Sequence, residues 1–219
     1  MIEYTNWEIL RNLLLGTRWT ALLFLVCLFG GGILGVVLLF ARISENRFYR
    51  KLAWGYIEFF QGTPLLMQLF LFFFGLALVG LKLPAWAAAS IALICWGAAF
   101  LAEIWRGCVE SIAKGQWEAS ASLGMGRLQQ MRYVIVPQAT RVAIAPTVGF
   151  LVQIVKATAL TSIIGFVELA QAGNVIVNST FMPFTVYGYV ALIYFALCWP
   201  LSAASKLIEE KLNANNRSA

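Results

Sequence analysis

The sequence predicts an all-α polytopic membrane protein with five transmembrane helices, its N-terminus outside and one helix on the cytoplasmic face. Three observations carry this. Of 219 residues, 61% are apolar and 12% charged, whereas a soluble domain is nearer half apolar and a quarter charged. The mean hydropathy of the whole chain is +0.79. The apolar residues fall into runs of about 20, the length that crosses a bilayer as a helix.

The first span is 19–41, which carries no charge; it is too long for a signal-peptide core, and further spans follow it. The second is 59–81, between Glu58 and Lys82, with Gly62 and Pro64 shaping its entry. The third is 83–102, and its helix is expected to continue through Glu103 and Arg106. Those two sit three apart on one helical face, placed for an ion pair, with Glu103 also a candidate for an inner gate. The segment 133–167 is less regular, with Pro137, Arg141, Pro146 and Lys156, and reads as one span followed by a break. The fifth span is about 184–205, after a polar lead-in. Ahead of them all, 5–19 reads as an amphipathic helix on the outer surface. Thr5 and Glu8 have capping-box spacing, and Trp7, Leu10, Leu13 and Leu14 share a face. The chain thus divides into an outer-side segment 1–18, a transmembrane domain 19–207 and a cytoplasmic tail 208–219.

Basic residues set the orientation. Arg42, Arg47, Arg50 and Lys51 follow span one; Arg106, Lys114, Arg127 and Arg132 follow span three; Lys206, Lys211 and Arg217 follow span five. The other side receives Arg11, Arg18 and Lys82. The net charge of +6 is therefore a topology signal rather than a nucleic-acid footprint.

Chemistry is sparse. There is neither Asp nor His, which removes His-based acid–base catalysis, Ser-His-Asp triads and most metal sites. Cys27, Cys95, Cys108 and Cys198 stand singly with no CxxC, as buried thiols do. Gly31 and Gly35 form a GxxxG pair suited to close helix packing. Phe70, Phe72, Phe73 and Phe74 need no cofactor; they face lipid or packing partners.

The longest cytoplasmic stretch is 108–132. Within it Glu118, Ala119, Ser120, Ala121, Ser122 and Leu123 form a helical run rich in small residues, which Gly124 and Gly126 end. Small residues let another backbone approach, so the run is either a handle for a soluble partner or a cap on the bundle.

The stretch EASASLGMGRLQQMRYVIVP, 118–137, resembles the EAA loop of ABC importer permeases: EAA, three residues, Gly, nine residues, then I-x-L-P. Glu118, Ala119 and Gly124 match, Ser120 replaces the second alanine, and Val134, Val136 and Pro137 follow at the family's spacing. YIEFFQGTPLLMQLF, 56–70, and FLAEIWRGCVESIAKGQWEA, 100–119, are similar to segments of the polar amino-acid branch, and the resemblance runs from about 17 to 207.

The resemblance implies a type I importer membrane subunit in a bacterial inner membrane. It would move a polar amino acid by alternating access, with a dimer of ABC ATPases below, a second permease subunit beside it and a binding protein outside. Glu118, Ala119, Ser120 and Gly124 would then form the coupling contact. The chain lacks GxxxxGK[ST], so no cofactor is expected in it, and ATP and Mg²⁺ would belong to the ATPase. It is expected not to be an enzyme.

Lys156, Thr158, Thr161 and Ser162, in KATALTSIIG, are the candidate substrate-pathway residues, since transporters build sites from broken helices. Lys156 lies about 25 Å along the fourth span if that starts near Ala139. It would pair with a substrate carboxylate, or else snorkel or pair with Glu168. The hydroxyls are weaker candidates because such groups often bond their own backbone. Gly149, Phe150 and Ala157 replace polar residues usual in related permeases, which implies that a paralogous second subunit carries most substrate contacts. The alternatives are an ATP-independent secondary transporter or channel subunit, and a membrane scaffold without a pathway.

Overall fold

Thr5 starts the first helix: its hydroxyl accepts from the Glu8 N–H while its own N–H donates to the Glu8 carboxylate at 2.8 Å. The computed structural model describes the backbone of residues 5–217 and the side chains of 5–212; residues 1–4 of the N-terminal segment and 218–219 of the tail lie outside the described residues. All regular structure among the described residues is helical.

α1, Asn6–Arg42, is a single helix of 37 residues, about 55 Å long and well beyond the roughly 30 Å of hydrocarbon. The helix expected over 5–19 forms the first turns of α1, which runs unbroken through residue 18. Its buried stripe is Ile9, Leu13, Gly16, Thr20, Leu23, Cys27, Gly31 and Gly35, while Trp7 and Leu14 are exposed. Ile9 and Leu13 pack on Leu169, Ile176 and Val186, so this end of α1 has protein partners and is not an isolated amphipath.

α2, Arg47–Gly62, lays Ala53, Ile57 and Phe60 against Ala98, Ala99 and Ala102. α3, Leu65–Leu78, leaves α2 at 103°. The expected straight span over 59–81 is thus broken at Thr63–Pro64. A residue before proline is driven out of the α region, and Thr63 is extended at φ −110°, ψ 141°. The Gln68 side-chain amide pins the corner, donating to the Phe60 carbonyl at 2.9 Å and to the Thr63 hydroxyl at 2.9 Å. At about 21 Å, α3 is too short to cross alone; among the described residues four helices are long enough to span, five when the bent α2–α3 pair is counted as one span.

α4, Ala85–Glu110, is the central helix and extends past Glu103 and Arg106 as expected. Its small residues admit α1 closely. A Cβ on Gly31 would lie 3.3 Å from the Ala98 amide nitrogen, and one on Gly35 3.3 Å from the Ala98 carbonyl. The GxxxG pair is therefore used within the chain. α5, Lys114–Ser122, is followed by α6, Arg127–Ile164. α6 opens a π-type turn at Met131–Ile135, where the Pro137 ring would otherwise strike the carbonyl four residues earlier. It tightens to a 3₁₀ turn at Ala159–Ile164, and Gly165 ends it at φ 82°, the break expected in this segment. α7, Leu169–Thr180, and α8, Pro183–Arg217, complete the bundle, α8 crossing residue 207 without interruption.

Candidate functional site

Two regions hold the residues that the sequence singles out. The first is α5, held across the junction of α4 and α6. Trp117 packs on the cluster of Val109, Ile112, Met131, Ile135 and Ala139, and Gln138 donates to the Gln116 side chain at 3.2 Å. Glu118 and Ala119 are exposed. Ser120 is 3% exposed and its hydroxyl donates to the Trp117 carbonyl at 2.9 Å, so its side chain faces the bundle. Gly124, exposed, takes φ 73°, the left-handed conformation that glycine adopts without a Cβ clash. Leu123 and Leu128, each 81% exposed, flank it. The sequence reading did not assign them a contact, although leucines bracketing glycines in a polar loop were the available signal.

The second region is the end of α6. Thr158 and Thr161 are fully buried, and their hydroxyls donate to the Val155 and Thr158 carbonyls, each at 2.7 Å; Ser162 does the same to Ala159 at 2.7 Å. These bonds fasten the tightening helix to itself. Lys156 is on another face: it is exposed beside exposed Gln153 and makes no ion pair among the described residues. The four candidates therefore do not converge on one point.

Glu168 does not pair with Lys156. Fully buried, it caps α7 by accepting from the Gln171 N–H at 3.0 Å, and its other oxygen accepts from Tyr194 at 2.8 Å and Thr20 at 3.3 Å. Thr20 in turn accepts from the Leu169 N–H at 3.1 Å. This junction of α1, α7 and α8 had no sequence signal, because glutamate is not a preferred capping residue.

Between the two regions the interior is apolar. Phe150 stacks on Phe100 with centroids 5.5 Å apart and lies 5.3 Å from the Trp96 ring. Gly149 lies against Ser205, whose hydroxyl is used by the Ala145 carbonyl at 2.9 Å. At the arginine-rich end, Glu103 receives Arg106 at 2.7 Å and Arg42 at 3.6 Å, and Arg106 also meets Glu110. The Glu103–Arg106 pair is thus one link of a network joining α1 to α4.

Residues 28–214 match the model of the family described as binding-protein-dependent transport system inner membrane component. The chain is similar to the probable amino-acid ABC transporter permease protein YckA of Bacillus subtilis (strain 168), 35% identical over 96% of this chain and 98% of that one. It is also similar to the glutamine transport system permease protein GlnP of Escherichia coli (strain K12), 30% identical over 94% and 95% of the two chains. Among solved structures, one chain from the crystal structure of an amino acid ABC transporter with histidines superposes at a TM-score of 0.89, with 30% identity, covering 96% of this chain and all of that one. A chain of the inward-facing methionine ABC transporter MetNI shares the fold at a TM-score of 0.70 and 22% identity, over 96% and 99% of the two chains. With nearly its whole length matched and the helix order of a multi-pass permease, the chain belongs to the family of binding-protein-dependent transport system inner membrane components.

Proposed function

We propose that the chain is the permease subunit of an ATP-driven importer of polar amino acids, coupled through α5 to a separate ABC ATPase dimer. The observation that carries this is the construction of α5. Its Trp117 side is anchored to α4 and α6, while Glu118, Ala119 and Leu123 face outward. A force applied to that outer face is passed to two membrane helices at once. Ser120 supports the helix from within, and Gly124 makes the turn back into α6. The relatives named for amino-acid and glutamine transport support the substrate class.

The basic loops support a bacterial inner-membrane orientation with α5 in the cytoplasm and the start of α1 outside, where a binding protein would deliver substrate. ATP and Mg²⁺ would be held by the ATPase; this chain would pass substrate and motion. Lys156, exposed and unmatched by a carboxylate among the described residues, would face the pathway and attract a substrate carboxylate, with Thr158, Thr161 and Ser162 stiffening the turn above it. The aromatic packing of Phe150 supports a second, paralogous permease subunit that carries most polar contacts.

The test is cross-linking and uptake in reconstituted vesicles. A cysteine at Ala119 should cross-link to the ATPase, and uptake of labelled amino acids should stop when that ATPase is inactivated. Uptake that persists without ATP hydrolysis would sink this reading in favour of a secondary transporter or channel.

A further inference from the structure

An apolar groove of about 450 Å³ opens between α1, α4 and α6 toward the arginine-rich end, lined by Val36, Leu39, Phe40, Val109, Ala143 and Ile144 among others. A second pocket, of about 330 Å³, continues beyond it. Val109 lines both, so they adjoin. The second pocket is polar: Arg42, Arg50 and Arg127 line it, with Glu45 and Glu110.

The charges there do not cancel. Glu45 meets Arg127 at 3.5 Å, Glu110 meets Arg106, and Glu103 is shared by Arg106 and Arg42. Arg50 has no carboxylate among the described residues, its guanidinium donating only to the Ser44 carbonyl at 3.4 Å. The Nε of Arg42 is buried and turned to the Glu103 carboxylate at 3.6 Å, so Arg42 is already matched. Three arginines against two glutamates in the pocket lining, with Arg50 unmatched, at the mouth of an apolar groove fit a molecule with an anionic head and a hydrocarbon tail. Basic pockets between transmembrane helices hold such head groups.

We propose that the groove and the arginine pocket form one binding site for an anionic phospholipid, with an acyl chain along Leu39 and Ala143 and the phosphate against Arg50. The groove supplies retention and Arg50 supplies selection between lipids. Occupancy would brace the end of α1 against α4 and α6, next to the Trp117 anchor of α5, making that junction sensitive to the surrounding lipid.

Native mass spectrometry of the full-length chain, delipidated and then given phosphatidylglycerol or phosphatidylcholine, tests this. Phosphatidylglycerol should be retained in preference, by about fivefold for the arginine engaged. Arg50→Gln should lose that preference, and Ala143→Phe should reduce binding of both lipids. Arg50 makes only the one long bond, so its variant should fold. Equal retention of the two lipids, or an unchanged preference in Arg50→Gln, overturns the proposal. So does full displacement by glycerol 3-phosphate, which would mark an anion pocket without a tail. A photo-cross-linker at Ile144 that labels another protein chain and no lipid, in native membranes, would assign the groove to a partner subunit instead.

Discussion

Tyr194 donates to Glu168 at 2.8 Å and so ties the middle of α8 to the first turn of α7. The same carboxylate oxygen accepts from Thr20 on α1, so three helices depend on one buried glutamate. Tyr194→Phe should cost about 1–3 kcal/mol, the range for losing a partner of a buried polar group. Thermal unfolding in detergent measures it. A double-mutant cycle with Thr20→Val should show non-additivity, since both hydroxyls serve one oxygen; strictly additive losses would mean that the cluster does not act as a unit.

Gly97 of α4 faces Cys27 where α1 crosses it. A Cβ at Gly97 would stand 2.7 Å from the Cys27 sulfur, which itself donates to the Leu93 carbonyl at 3.1 Å. Gly97→Val should lose about 1–3 kcal/mol by overpacking. Adding Cys27→Ala, which removes the obstructing sulfur, should restore part of it. Stability curves for the single and double variants decide the matter, and absence of any rescue would place the strain elsewhere.

Gly124 holds φ 73° at the end of α5, where a Cβ would meet nothing within 4 Å. The penalty for a side chain is therefore one of backbone conformation alone. Gly124→Val should cost more than Gly124→Asn, the first by about 1–2 kcal/mol or above and the second by less, because asparagine tolerates the left-handed region. In reconstituted transporter, Gly124→Val should lower uptake per ATP hydrolysed more than Gly124→Asn does. The reverse order would contradict a conformational role.

Lys156 has no carboxylate partner among the described residues and is exposed on α6. Lys156→Ala should change stability by no more than about 0.5 kcal/mol, as exposed substitutions do. Uptake should fall about tenfold or more, the cost of losing a charged hydrogen bond to substrate, and Lys156→Arg should recover part of it. Unchanged uptake with normal assembly would remove Lys156 from the pathway.

Sequence alone determined the membrane class, some of the places where helices start, bend and stop, and the family resemblance. Each depends on composition or on local backbone chemistry: the charge-free run of 19–41, the Thr5–Glu8 box, Pro64 with its extended predecessor, Gly124 and Gly165 at positive φ. Tertiary structure decided which side of each helix is covered. The stripe of α1 from Ile9 to Gly35 is buried because α4 and α7 lie there, although Trp7 and Leu14 are as apolar as Leu13. Ser120 turns inward and Glu118 outward because Trp117 is held on α6. Glu168 is sealed under α8 and does not pair with Lys156, which has no carboxylate partner among the described residues. In a chain so uniformly apolar, hydrophobic patterning no longer distinguishes one helix face from another, and only the positions of neighbouring helices can do so.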